Sequence, residues 1–504
     1  MKKTLVITLI LMAVTLTGCT GYYPGYESDY IQESGETYAE IIDNPFINTS
    51  DMPVSTFSVD VDTASYSNIR RMINQGYLPE TNAVRIEEMV NYFTYNIAGP
   101  TENEVIHVYQ ELSYAPWQPS HQLLMIGLKT EDIVFETSQP MNLVFLIDVS
   151  GSMNTSDKLP LLKEALGILV ENLRPMDTIS IVTYAGSSRV ILEGGDSTEK
   201  DSILSKINNL SASGSTAGGS GIQMAYEVAT RNFIEGGNNR IILSTDGDFN
   251  VGTSSVNELK ALISEKKETG VYLSVLGFGT GNIRDDVMES LADHGNGVYY
   301  YIDSLKEAEK VFIHQLGGSM ITVAKDVKLQ IEFNPALVKG YRLIGYENRV
   351  LNNQDFEDDL KDAGDMGSGH VVIAFYEIIQ ADSDEIIPSK TYEPIENLKY
   401  TGDNHLTEIL TLSIRYKEPT QQSSMLIETV VLASSNQETY SSEFGFASAV
   451  VEFGLLLRDS PYKSNASFDA IIERATLALG FDPHEYRSEF VNLVIKAKNL
   501  MHKD

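Results

Sequence analysis

The stretch LIDVSGSMNTS, at residues 146–156, ends a run of apolar residues with an aspartate and follows it with two serines. Asp148, Ser150 and Ser152 are spaced i, i+2, i+4, and in an extended backbone this spacing points three side chains the same way. The preceding residues, NLVFLI, are almost continuously apolar, as expected for a strand that is buried on both faces. Three small oxygen-bearing side chains at the end of such a strand indicate half of a site for a hard cation.

Strand and helix patterns alternate along the chain around this stretch, from residue 139 to residue 318. TISIVTYA, RIILSTDGD, VYLSVLGFG and VYYYI predict strands, and helical patterns separate most of them, such as the leucines spaced from Leu159 to Leu173. Such alternation predicts the α/β fold class, with a central doubly wound, mostly parallel sheet that is covered by helices on both faces.

Two further loops are expected at the same edge of this sheet, because ligands of doubly wound sheets bind beyond the carboxyl ends of the strands. Thr216 lies among glycines in SASGSTAGGSG, and Asp246 follows the strand RIILST. The predicted metal ligands are therefore Asp148, Ser150, Ser152, Thr216 and Asp246. Mg²⁺ prefers octahedral oxygen coordination and keeps several waters. Two carboxylates and three hydroxyls balance its charge and leave a position for an acidic side chain of another molecule.

DVSGSM, the glycine-flanked Thr216 and LSTDGD resemble, in order and spacing, the metal-ion-dependent adhesion site (MIDAS) of von Willebrand factor type A (VWA) domains. The resemblance implies that Ser150, Ser152 and Thr216 contact a divalent cation, with Asp148 and Asp246 often acting through water. It also implies a protein partner that supplies an Asp or Glu carboxylate. Mg²⁺ is the expected cofactor, with Mn²⁺ and Ca²⁺ as alternatives, and no catalytic residue is assigned.

The sequence on both sides of this domain resembles the flanks of the YfbK-like bacterial lipoproteins. The resemblance lies in STFSVDVDTASYSNIRRMINQGYLP with VRIEEMVNYF, and in EFGFASAVVEFGLLLRDSPY. The predicted organisation is a small N-terminal α/β unit associated with the VWA domain at 51–130, the VWA domain at 139–318, and a C-terminal α+β domain at 319–504. The last of these begins with antiparallel strand patterns and ends in helices.

The N-terminus has the pattern of an export signal. Lys2 and Lys3 precede an apolar stretch that is too short to span a membrane comfortably, and small residues precede Cys19. The segment resembles a bacterial lipoprotein signal, which implies a signal peptide at 1–18, a lipid on Cys19 and membrane anchoring through it. Residues 19–50 predict an acidic tether rich in Tyr, Gly and Ser. The expected location is the cell envelope, at the outer membrane if the host has one.

The charge of the chain limits its partners. The formal net charge is −33, which disfavours nucleic acid as a partner. The three metal loops contain no His or Glu that could act as a base, so a binding protein is expected rather than an enzyme. Two alternatives stay open: a hydrolase in which the metal activates water, and a structural metal that fastens loops within an envelope assembly. Asp60 and Asp62 share a predicted strand face, and a solvated or capping role is preferred over a second metal site.

Overall fold

The computed structural model describes residues 35–102, 104–133, 138–215, 218–247, 255–315, 321–401 and 405–501. The chain from Gly35 to Asp504 forms one compact unit. The predicted signal peptide at 1–18, the lipidation site Cys19 and the first part of the tether lie outside the described residues, and so does Thr216. Within the ranges given above, the helices lack the combination of length and apolar character needed to cross a bilayer.

The elements are numbered along the chain. The strands are β1 (Ile47–Asn48), β2 (Val54–Ser58), β3 (Ile106–Ala115), β4 (Gln118–Thr130), β5 (Met141–Asp148), β6 (Thr178–Tyr184), β7 (Ser188–Asp196), β8 (Asn238–Thr245), β9 (Val271–Phe278), β10 (Tyr299–Ile302), β11 (Thr322–Phe333), β12 (Val338–Ile344), β13 (Gly364–Gly367), β14 (Val371–Gln380), β15 (Glu408–Lys417) and β16 (Met425–Leu432). The α-helices are α1 (Ala64–Gln75), α2 (Ile86–Asn91), α3 (Leu159–Asn172), α4 (Lys200–Asn208), α5 (Gly218–Arg231), α6 (Val256–Lys267), α7 (Asp285–His294), α8 (Leu305–Glu309), α9 (Ser442–Leu457), α10 (Phe468–Leu477) and α11 (Tyr486–Met501).

The central sheet has the strand order β10-β9-β8-β5-β6-β7. Neighbouring strands are parallel except for β6 and β7, which form an antiparallel edge. Every residue of β5 is buried. Apolar side chains of α3 and α4 pack on one face of the sheet, and those of α5, α6 and α7 pack on the other. The predicted α/β fold with a doubly wound, mostly parallel sheet is therefore confirmed.

The order of the strands reverses next to β5. The chain passes from β5 to β6 on one side, and β8 later pairs with the opposite side of β5. In this parallel pair Ile147 lies opposite Ser244, so Asp148 and Asp246 leave the sheet at the same edge. A crevice at such a switch point is where doubly wound sheets bind their ligands.

The segments before and after the central domain build a second body of two antiparallel sheets. One sheet has the order β1-β12-β14-β4-β3, and the other has the order β13-β11-β15-β16 with β2 also paired to β11. Phe375 of β14 lies opposite Met125 of β4, and Leu329 of β11 lies opposite Phe57 of β2. Side chains of both sheets share one apolar core. The N-terminal unit and the C-terminal domain were expected to be separate, but the pairing joins their strands; the domain boundaries stay predictions.

Candidate metal centre

The loop after β5 places three of the predicted ligands together. Asp148 is fully buried, and its Oδ1 accepts a hydrogen bond of 2.8 Å from the backbone N–H of Ser150. The hydroxyls of Ser150 and Ser152 hydrogen-bond each other, with their Oγ atoms 3.0 Å apart. Ser150 is extended, but a 3₁₀ turn, Gly151–Asn154, begins directly after it. The extended backbone that the spacing predicted is therefore wrong beyond Ser150, and the turn brings the two hydroxyls together instead.

Burial dominates the electrostatics of Asp148. Burial and the charge of Asp246 together raise the pKa of this carboxyl to about 6, although the hydrogen bonds from Ser150 act in the opposite direction. A carboxylate in such a position is stabilised by any cation that reaches it, because burial penalises the charged form. The loop thus combines a buried acid with two hydroxyl oxygens that face each other.

The loop that carries Thr216 lies against the loop after β5. The N–H of Gly151 donates to the carbonyl of Gly214 at 3.0 Å, and the N–H of Ser213 donates to the carbonyl of Val149 at 2.7 Å. These two bonds hold the described part of the second loop, which ends at Ser215, next to the loop that carries Ser150 and Ser152. Thr216 lies outside the described residues, so its role as a ligand stays a prediction.

Asp246 completes the described part of the site. It is fully buried, and it follows β8 at the switch point. Gly247 has φ +89°, and a Cβ on it would lie 2.6 Å from the backbone nitrogen of Arg284. This close approach requires glycine, and it holds the Asp246 loop against the loop after β9. Ser152 of the first loop hydrogen-bonds the Asp246 carboxylate, so the two loops meet through these side chains.

Lys158 is part of the site, and the sequence analysis missed it. Its Nζ donates to Asp246 Oδ2 at 2.9 Å and to Asn282 Oδ1 at 3.1 Å, and the residue is only 6% exposed. Burial disfavours the charged form of Asp246. However, the hydrogen bond and charge of Lys158, with hydrogen bonds from Ser152 and Asn282, outweigh burial and lower the pKa of Asp246. Nothing in the local pattern around Lys158 indicates this contact, because its partner lies 88 residues away.

The donor set fits a small divalent cation. Carboxylate and hydroxyl oxygens are the ligands that Mg²⁺ and Ca²⁺ prefer. Adjacent ligands in an octahedron with metal–oxygen distances of roughly 2.1 Å lie roughly 3.0 Å apart. The Oγ atoms of Ser150 and Ser152 have this separation. Asp148, Ser150, Ser152 and Asp246 lie at the same edge of the sheet, and their binding of one ion stays a prediction.

Three family models match the chain in succession. The model described as "von Willebrand factor" matches residues 32–125, and the model "von Willebrand factor type A domain" matches residues 142–314. The model described as "Uncharacterized protein YfbK, C-terminal" matches residues 318–500. The central match covers the doubly wound sheet and all three predicted metal loops.

Single proteins are similar over different parts of the chain. YfbK of Escherichia coli K12 is 42% identical over 471 residues, which cover 91% of this chain and 80% of that protein. The solved structure of a von Willebrand factor type A protein from Catenulispora acidiphila is 15% identical, with a TM-score of 0.41, over 74% of this chain and 86% of that one. Proximal thread matrix protein 1 from the mussel byssus, solved with a zinc-occupied MIDAS motif, is 22% identical, with a TM-score of 0.31, over 38% and 47% of the two chains.

Proposed function

The chain belongs to the YfbK family and contains a VWA domain, and we propose that it binds a protein partner through a divalent cation at the MIDAS-like edge of the sheet. The partner supplies an Asp or Glu carboxylate. Mg²⁺ is the proposed ion, with Mn²⁺ and Ca²⁺ as alternatives. The role is recognition rather than turnover.

The arrangement of the two serines beside Asp148 carries the proposal. Their Oγ atoms have the separation of adjacent ligands of one ion, and they lie at the switch point of the sheet. Asp148, Ser150, Ser152, Thr216 and Asp246 would hold the ion. A bound ion would supply a coordination position that accepts the partner's carboxylate. The five predicted ligands determine where the ion is bound and how much of its charge is neutralised.

Replacing Asp148 with alanine in the full chain is expected to weaken metal binding by about 10- to 100-fold, the usual cost of removing a group that orients the ligands of an ion. The measurement is a titration of the purified protein with Mn²⁺, followed by electron paramagnetic resonance and by competition with Mg²⁺. Asp201→Ala is the matched control, because it removes an exposed carboxylate from α4. Circular dichroism verifies that both variants are folded.

The same pair of variants tests partner capture. Crosslinking in cells, with and without a chelator, is expected to yield a complex that depends on the metal and that Asp148→Ala does not form. An identical complex with Asp148→Ala and with chelator would contradict the proposal. Metal-dependent turnover in a hydrolase panel would favour an enzyme instead. A large loss of thermal stability on chelation, with capture retained, would favour a structural metal.

Lipid anchoring in the cell envelope is part of the proposal, and it rests on the sequence around Cys19. Cys19→Ser is expected to abolish the incorporation of radiolabelled palmitate into the protein, because the proposed lipid is attached through this residue. Labelling of cells that express the full chain, followed by precipitation of the protein, measures this incorporation. Thr20→Ser is the control and should be labelled like the wild type. A Cys19→Ser protein that is labelled equally would refute the anchor.

A further inference from the structure

We propose that Lys158 sets the charge of the metal site, so that the site holds its cation less tightly and a partner's carboxylate more tightly. The inference rests on the proposed function, because it concerns the same ion and the same partner group. It assigns to Lys158 a positioning and selectivity role that none of the predicted ligands has.

The structure builds a place for this lysine. Its ammonium group bonds both Asp246 and Asn282, and it is almost fully buried. The aliphatic part of Lys158 runs directly over Gly279, where a Cβ would lie 2.2 Å from the lysine Cε. Gly279 also has φ +78°, a conformation that side chains other than glycine rarely adopt. The end of β9 is therefore shaped to let the lysine reach Asp246.

The charges of the site explain what the lysine does. Asp148 and Asp246 carry two negative charges, and the ammonium of Lys158 neutralises one of them. Counting these three described groups, a divalent cation binds where the net charge is one negative, and the group loaded with the ion has one net positive charge. Without the lysine the loaded site would be neutral. Because these groups are buried, water screens their interactions less than at the surface.

A positive loaded site suits the proposed partner. The whole chain has a formal net charge of −33, which repels an acidic protein at long range. Lys158 makes the net charge around the bound ion positive, in contrast to the negative charge of the whole chain. A partner's carboxylate then neutralises this positive charge. Cation and carboxylate then strengthen each other's binding, and the two binding events are reciprocally coupled.

Lys158→Met in the full chain tests the inference with Mn²⁺ as the metal and acetate as the carboxylate. Methionine keeps much of the length of the side chain and removes its charge. We expect Mn²⁺ to bind at least about tenfold more tightly to the variant, because one buried positive charge near the ion is gone. We also expect acetate to tighten Mn²⁺ binding in the wild type and to have little effect in the variant. Acetamide, which is neutral and similar in shape, should have no effect in either.

Two further variants separate charge from packing. Lys158→Gln keeps a hydrogen-bond donor for Asp246 without the charge, and it should behave like Lys158→Met. Lys163→Met is the matched control, because Lys163 lies on α3, the helix that begins directly after Lys158, and its ammonium donates to the carbonyl of Asn208 at an exposed position. It should bind Mn²⁺ and respond to acetate like the wild type.

Thermal unfolding gives a readout that does not depend on the affinity measurement. Without metal, Lys158→Met should melt at a lower temperature than the wild type, because Asp246 loses its counter-charge. Mn²⁺ should then raise the melting temperature more in the variant than in the wild type. If the wild type binds no Mn²⁺, the proposed function fails. If the wild type binds Mn²⁺ but the two uncharged variants bind it equally or more weakly, or keep the acetate response, the inference alone is refuted.

Discussion

Arg70→Met is expected to lower the free energy of unfolding by about 3–5 kcal/mol, the usual cost of removing one partner from a buried ion pair. Arg70 lies on α1 and is only 4% exposed. Its guanidinium donates to Asp303 at 2.8 Å, to Glu307 at 2.8 Å and to Glu489 at 3.0 Å. These acids lie at the end of the central domain and on the C-terminal helix α11. Arg70 therefore joins three parts of the molecule that are distant in sequence.

Without Arg70, Asp303 and Glu307 would remain buried and would lose a positive charge that favours their ionised forms. Urea unfolding of the full chain, followed by circular dichroism, measures the loss. Because Arg70 links the central domain to the flanking body, we also expect the unfolding transition of Arg70→Met to broaden or to split in two.

Arg231→Met provides the control for this prediction. Arg231 forms an ion pair with Glu193 at 2.7 Å, but both side chains are largely exposed. Exposed pairs contribute little to stability, because water and salt screen them. The unfolding midpoint of Arg231→Met should therefore match that of the wild type. An Arg70→Met protein with the same midpoint as this control would show that the buried cluster does not hold the domains together.

The central domain could be predicted because its signals are local. A strand buried on both faces is a run of apolar residues, and each intervening helix has its own period, so the element order follows from the sequence. The switch point follows from that order, and it places Asp148 and Asp246 at one edge of the sheet.

The flanking body could not be predicted in the same way. Its sheets pair strands separated by the whole central domain, such as β2 with β11 and β4 with β14. Antiparallel strands carry no signal of which partner they will find. Strand β12 was not predicted at all. Its sequence, VKGYRLI, contains charged residues, which are unusual in a buried strand. Arg342 is nevertheless buried, where it forms an ion pair of 2.7 Å with Glu377.

The same distinction applies to the metal centre. The oxygen ligands follow a regular spacing at strand ends, so they could be identified from the sequence. Lys158 and Asn282 could not, because their contact with Asp246 depends on tertiary packing. Asp62 was expected at a solvated face or a cap. It is buried instead, where it accepts a hydrogen bond from the N–H of Tyr299.

Asp62 belongs to a buried group of acids at the contact between the central domain and the flanking body. The carboxylate oxygens of Asp62, Glu88 and Glu289 lie within 4.8 Å of one another. Arg85 pairs with Glu289 at 2.8 Å, and Arg349 lies 3.5 Å from Asp62. The same arginines also pair with further acids, Arg85 with Asp285 and Arg349 with Asp60 and Asp293. The acids therefore outnumber the arginines, and protonation of an acid relieves the remaining repulsion.

Glu88→Gln is expected to stabilise the protein at about pH 8 by at least about 1.4 kcal/mol, the equivalent of one pKa unit. Burial, together with the charges of Glu289, Asp285 and Glu87, raises the pKa of Glu88 from 4.5 to about 8, against the opposing charge of Arg85. Between these two values the folded protein keeps a proton that the unfolded chain has released. The stabilising contribution of this proton is fully present below about pH 4.5 and is lost as the pH rises through about 8.

Glutamine mimics the protonated side chain at every pH, and it keeps an oxygen that can accept the 2.8 Å hydrogen bond from the N–H of Ser65. Urea unfolding at a series of pH values should therefore show a smaller loss of stability toward alkaline pH in Glu88→Gln than in the wild type. Glu80→Gln removes an exposed carboxylate nearby, so it should follow the wild-type curve. If the curves of Glu88→Gln and the wild type fall in parallel, Glu88 is not the group that couples this contact to pH.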